Sequence, residues 1–174
     1  MIWLLELLAA LAMYCGGYWY YCNGNIEYTA CFAMACAIFC ILFLRSVWSG
    51  RYVNMPMKRI DRLSGAAFEQ YLIVQFRRLG YRVKTTEISH DYGADLIMKK
   101  RGEKIVVQAK RYERNIGISA VQEAVAAIAY YEADRAMVVT NRYFTKSARN
   151  LARQNDVELW GRDEIRKKFR IRGE

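Results

Sequence analysis

The chain has 174 residues, with 27 Lys and Arg against 17 Asp and Glu, a formal net charge of +10, and 54% apolar residues. Its mean hydropathy of -0.09 is that of an ordinary basic globule, and the composition, with a single proline, excludes a disordered or collagen-like chain. That average hides a split: all 27 basic residues fall after residue 44, against 15 of the 17 acids, so residues 45–174 carry +12 while residues 1–44 hold only Glu6 and Glu27.

The N-terminal part reads as a two-helix transmembrane hairpin. The run from Ile2 to Tyr21 contains one charge, Glu6, and the run from Tyr28 to Leu44 none, with apolar character resuming at Val47 and Trp48. A hydrocarbon core of about 30 Å needs about 20 apolar residues, so spans over 2–21 and 28–48 are expected. Tyr18, Trp19, Tyr20, Tyr21 and Tyr28 flank the short connector, where aromatic rings favour headgroup depth. Ala12 and Gly16, then Ala33 and Ala37, are four residues apart, a spacing that suits close pairing with a second copy or another membrane protein. Arg45, Arg51, Lys58, Arg59 and Arg62 follow the second run, and the connector has no basic residue. The expected placement is a membrane spanned twice, with both termini cytoplasmic and lipid as a partner. Glu6 is expected to snorkel toward the headgroups, and all five cysteines fall in this part as small buried side chains.

Residues 49–62, SGRYVNMPMKRIDR, read as a basic juxtamembrane linker, and residues 63–174 as an α/β domain with a mixed sheet flanked by helices. Phe68, Leu72, Phe76 and Leu79 recur at helical spacing, with Ser64 to cap the start and Gly80 the end. A strand over Tyr81–Thr85 comes next. Asp95–Lys100 and Lys104–Lys110 form a hairpin around Arg101-Gly102. A helix over Ile118–Ala133, a strand over Ala136–Thr140, a helix over Thr145–Gln154, a strand over Val157–Trp160 and a basic helix over Asp163–Phe169 complete the order.

The hairpin gathers the residues with chemistry. A two-residue turn at Arg101-Gly102 pairs Lys100 with Glu103 and sets Asp95 opposite Gln108, on one face with Lys110. A carboxylate and a carboxamide oxygen can hold Mg²⁺, and a lysine beside them can neutralise phosphate or position a water. The spacing alone leaves two readings open, a hydrolytic site and a solvated sheet face.

Several motifs in this half occur in a recognisable order: LSGAAFEQYL (63–72), LGYRV (79–83), HDYGADLIM (90–98), IVVQAKRY (105–112), AVQEAVAA (120–127), MVVTN (137–141), FTKSARNLA (144–152) and VELW (157–160). Together they resemble the Mrr-like restriction endonucleases, a branch of the PD-(D/E)xK nuclease fold. The resemblance implies that Asp95 is the metal-binding aspartate and that Gln108 and Lys110 are the final pair of the signature. Glu69, on the first helix, matches the acid that completes the site. Glutamine stands where the usual acid of that pair would be, which leaves metal binding to lean on Asp95 and Glu69. The implied activity is a Mg²⁺-dependent (or Mn²⁺-dependent) endodeoxyribonuclease of type IV restriction-like character, anchored at the membrane. With this resemblance, that membrane is expected to be a bacterial inner membrane. The alternatives are a non-cleaving DNA tether or sensor and a subunit of a larger membrane assembly.

Other residues carry weaker signals. Asp91 is either a support for the metal ligands or an Asx-turn residue. His90, the single histidine, has no required role in this chemistry. Glu123 fits an electrostatic role near a helix N-terminus. Lys146, Arg149 and Arg153 share one helix face, and Arg111, Arg114 and Arg142 lie near strand ends. With a net +12 on this half, these six are candidate DNA contacts. The run Arg166, Lys167, Lys168, with Arg170 and Arg172, suits DNA or lipid headgroups.

Overall fold

The computed structural model describes residues 13–20, 34–44, 52–53, 55–86 and 92–171. The chain divides into two compact units, Met1–Gly50 and Arg51–Glu174.

In the first unit residues 13–20 and 34–44 are helical, and Phe39 and Phe43 stack at 6.3 Å. Among the described residues no helix is long and apolar enough to cross a membrane. The described helical residues 34–44 account for about 16 Å at about 1.5 Å per residue, against about 30 Å for a hydrocarbon core. The expected two-span placement in a bacterial inner membrane, with both termini cytoplasmic, is therefore corrected. The outer parts of both runs, Glu6, Cys22 and Cys31 lie outside the described residues. Cys15, Cys36 and Cys40 carry free thiols.

The second unit contains α1 (Met57–Ile60), α2 (Gly65–Arg78), β1 (Arg82–Thr85), β2 (Leu96–Lys100), β3 (Glu103–Lys110), α3 (Ile118–Tyr130), β4 (Arg135–Thr140), α4 (Lys146–Gln154), β5 (Glu158–Trp160) and α5 (Arg162–Lys168). The strands form one five-stranded sheet in the order β1-β2-β3-β4-β5. β1, β2 and β3 are antiparallel, and β4 and β5 extend β3 in parallel. The mixed sheet with flanking helices matches the sequence expectation.

Local chemistry explains the boundaries. The Ser64 hydroxyl accepts from Ala67 N at 3.2 Å and starts α2, and Gly80 leaves it at φ +85°. Thr145 caps α4 in the same way, accepting from Ala148 N at 3.2 Å. The β2–β3 turn has positive φ at both Arg101 (53°) and Gly102 (90°), the twist that two-residue hairpins favour. That turn fixes the register, with Lys100 opposite Glu103 and Leu96 opposite Val107.

Alternation along β3 divides the core. Ile105 and Val107 face α2 and α5, among Phe68, Tyr71, Leu72, Phe76, Trp160 and Phe169. Val106 faces α3 and α4, among Ala120, Val121, Ala124, Val138 and Ala148. The stretch expected to be linker contributes to the first of these layers: Met55, Met57 and Ile60 are buried. Gln75 Nε2 donates to Tyr52 O at 2.6 Å and Arg78 to Val53 O at 3.0 Å, which ties this entry segment to α2. The three apolar side chains outweigh the charges between them, which point outward. At the other end, Arg166, Lys167 and Lys168 occupy the last turn of α5, where cations offset the helix dipole.

Candidate active site

The site grows from the β2–β3 register. Asp95 immediately precedes β2, and both neighbouring strands hold its backbone: Asp95 N donates to Val107 O at 2.9 Å and Thr86 N donates to Asp95 O at 3.2 Å. Its Oδ2 accepts from Ala109 N at 2.6 Å. The carboxylate is thus aimed across the hairpin at the end of β3. Gln108 and Lys110 follow there on the Val106 face, the face covered by α3 and α4.

Gln108 is 2% exposed, and its Oε1 has no hydrogen-bond partner among the described residues. A buried acceptor without a partner costs about 1–3 kcal/mol, so its retention calls for an explanation. Lys110 is half-buried, and its Nζ lies 2.8 Å from Glu123 Oε2. Burial pulls the Lys110 pKa down. The hydrogen bond and charge of Glu123, aided by the Asp95 charge, outweigh that and hold it above the usual lysine value. Lys110 is therefore an ammonium at neutral pH.

Glu123 makes a contact with Lys110 that the sequence reading did not foresee. It stands in the second turn of α3, and the first turn of that helix has no acid. Its position is set by Gly93, whose φ is +85° and whose missing Cβ would lie 2.3 Å from Glu123 O. Only glycine permits that approach, so the loop that delivers Asp95 runs against the α3 backbone. A Tyr92–Tyr130 stack at 3.8 Å fastens the same loop further along the helix. The glycine of HDYGADLIM was the available signal.

The other expected residues are placed as follows. Glu69 is half-buried on α2, the helix that covers the opposite sheet face, so no shared face joins it to Gln108 and Lys110. Asp91 and His90 lie outside the described residues. Arg111 turns to the other side of the sheet, where its guanidinium donates to Asp61 O at 2.5 Å. Arg142 is half-buried, with Nε 3.3 Å from Tyr112 O. Arg114, Lys146, Arg149 and Arg153 are exposed, the last three on the outward face of α4.

A second polar cluster was not foreseen. Arg162 donates to both Asp61 oxygens at 2.8 and 2.9 Å, and Asn141 Nδ2 donates to Asp61 Oδ1 at 2.9 Å. Burial pushes the Asp61 pKa up, but the hydrogen bonds from Arg162 and Asn141 and the Arg162 charge bring it below the usual aspartate value.

Among the described residues no three of His, Cys, Asp and Glu come together as a metal cluster. The donor set that is present consists of the Asp95 carboxylate and the partnerless Gln108 Oε1. Both are hard oxygens, and Mg²⁺ is commonly held by one or two protein oxygens with water completing its shell. The residues fit such an ion.

A mixed sheet carrying an aspartate, a buried carboxamide and a lysine at its strand ends is the frame of a restriction-type nuclease. The comparisons agree: residues 60–169 match the model of the Mrr catalytic domain, described as a restriction endonuclease, and the chain belongs to that family. This makes it a nuclease domain of the restriction type, with DNA as the implied substrate. No curated protein matches the chain. A crystal structure of a protein of unknown function, AF1548, is similar at 17% identity and a TM-score of 0.47, covering 53% of this chain and 55% of that one. The match thus spans about half the length of that protein.

Proposed function

We propose that this chain is a metal-dependent DNA endonuclease that hydrolyses phosphodiester bonds at Asp95, Gln108 and Lys110, in the service of restricting foreign DNA. The observation that carries the reading is the buried Gln108 Oε1, without a partner among the described residues, one residue from Ala109, whose N–H holds the Asp95 carboxylate. Asp95 and Gln108 would hold Mg²⁺ or Mn²⁺, with Glu69 contributing from α2 through water. Such an ion, when bound, supplies Lewis-acid activation of water and of the phosphate. Asp95 orients its carboxylate through the Ala109 N–H. Lys110 would position the attacking water or donate to the attacked phosphate. Arg114, Arg142, Lys146, Arg149 and Arg153 would hold flanking phosphates, which aligns the duplex without reading sequence.

The test is nicking of supercoiled plasmid by the full-length chain with Mg²⁺, with Mn²⁺ and with EDTA, beside Lys110→Ala. The reading expects metal-dependent nicking that Lys110→Ala removes. Nicking that survives both EDTA and Lys110→Ala overturns it. A second reading, DNA binding without turnover, draws on one observation: Glu123 engages the Lys110 ammonium at 2.8 Å. It expects plasmid binding that is indifferent to Mg²⁺ and to Lys110→Ala.

A further inference from the structure

Resting on that reading, we propose that Glu123 supplies the second carboxylate of the metal site, in place of the acid that position 108 lacks, and that Lys110 holds its place as an internal counter-ion until metal binds.

Charge is the first reason. Asp95 with Lys110 alone is a neutral pair, and a neutral pair has little pull on a dication. Adding Glu123 brings these three side chains to one net negative charge, with Arg114 in the cleft wall a further cation beside them. When the Lys110 ammonium turns to a substrate phosphate, two carboxylates face the dication. Gln108 then serves as a neutral third oxygen, which matches an Oε1 that is buried at 2% exposure with no partner.

Placement is the second. Glu123 is not held by a solvated helix face alone. The backbone of Glu123 and that of Gly93 approach so closely that a Cβ on Gly93 would lie 2.3 Å from Glu123 O. Gly93 is two residues before Asp95, so the same contact fixes the carriers of both carboxylates. Their charges converge on one ammonium: Glu123 Oε2 lies 2.8 Å from Lys110 Nζ, and Asp95 adds to the field on that lysine.

Access is the third. The Glu123 side chain is 41% exposed and that of Lys110 24%. Both line a cleft of about 100 Å³, with Tyr112 and Arg114 among its walls. An ion or a phosphate can reach the pair without any opening of the fold. Glu123 stands beyond the first turn of α3, where the helix dipole has fallen off.

The experiment is Mn²⁺ titration of the full-length protein, followed by loss of the free-ion EPR signal, without DNA and without turnover. Asp95→Asn should abolish tight binding, Glu123→Gln should weaken it at least tenfold, and Lys110→Ala should tighten it several-fold by removing the competing cation. The double variant Glu123→Gln with Lys110→Ala separates ligation from lysine positioning. It should bind at least tenfold more weakly than Lys110→Ala alone. If the double variant binds as Lys110→Ala does, Glu123 acts only through the lysine and the proposal fails while the Asp95 site stands. If Asp95→Asn leaves binding intact, the site reading itself fails. Glu123→Asp, with a shorter arm and the same charge, guards against misfolding: affinity intermediate between wild type and Glu123→Gln supports ligation, and affinity no better than that of Glu123→Gln opposes it.

Discussion

Lys110 and Arg111 are neighbours in sequence, both cationic, at the end of the same strand, yet they belong to two different kinds of cluster. Lys110 meets Glu123 beside a buried oxygen that has no partner. Arg111 turns to the other side and joins Asp61, whose carboxylate is in turn saturated by Arg162 and Asn141. The Asp61 cluster ties the entry segment to β4 and α5, and its carboxylate is fully paired. That is the pattern of a group retained for stability. The Asp95 cluster leaves an acceptor unsatisfied and its ion pair open to solvent, which costs stability and is tolerated where a ligand completes it. The same residue types thus stand in two settings: around Asp61 the carboxylate is saturated, although Arg111 Nε is left without a partner among the described residues, whereas around Asp95 it is the Gln108 acceptor that is left open.

The sharpest way to break this contrast is Lys110→Ala. It should lower nicking by about a thousandfold, roughly 4 kcal/mol of barrier, while leaving the melting temperature nearly unchanged. Gly93→Ala comes next, because it strikes the joint between the Asp95 loop and α3. A positive φ costs a non-glycine residue about 1–2 kcal/mol, and overlap with the Glu123 backbone adds about 1–3 kcal/mol. Both stability and nicking should fall, as read by thermal melts and the plasmid assay. Asp61→Asn should cost about 1–3 kcal/mol by leaving the Arg162 donors poorly matched, with nicking per folded molecule preserved.

The Asp61 cluster should also show a pH signature. Its folded pKa is lowered, so its contribution is full above the unfolded carboxylate value of about 3.9 and is lost as pH falls through the folded one. The gap in melting temperature between wild type and Asp61→Asn should close as pH drops from 7 toward 3. A gap that does not narrow as pH falls below the unfolded value of about 3.9 would assign Asp61 some other role. The smallest effect concerns α4. Replacing Lys146, Arg149 and Arg153 together by Ala should flatten the salt dependence of DNA binding by about 0.9 log units per lost phosphate contact, measured by titrations across salt.

The sequence made the hairpin legible because its register depends on two residues, Arg101 and Gly102, and on an alternation that is local. Helix starts at Ser64 and Thr145 were legible for the same reason. Glu123 was not, since its partner is thirteen positions away and the link runs through a loop pressed on a helix by Gly93. Asp61 was hidden inside a basic stretch that reads as linker, where Met55, Met57 and Ile60 are too few to set a period. The N-terminal runs misled in another way. Hydropathy counts apolar residues along the sequence, and among the described residues no helix is long and apolar enough for a span.

The central claim is that one cluster works and the other holds. The direct measurement is nicking rate and melting temperature, side by side, for Asp95→Asn and Asp61→Asn in the full-length chain. An asparagine at 95 can still accept from Ala109 N, so the fold should remain. The account predicts that Asp95→Asn melts like wild type and does not nick, while Asp61→Asn melts lower and nicks. Metal-dependent nicking by Asp95→Asn at the wild-type rate would contradict it.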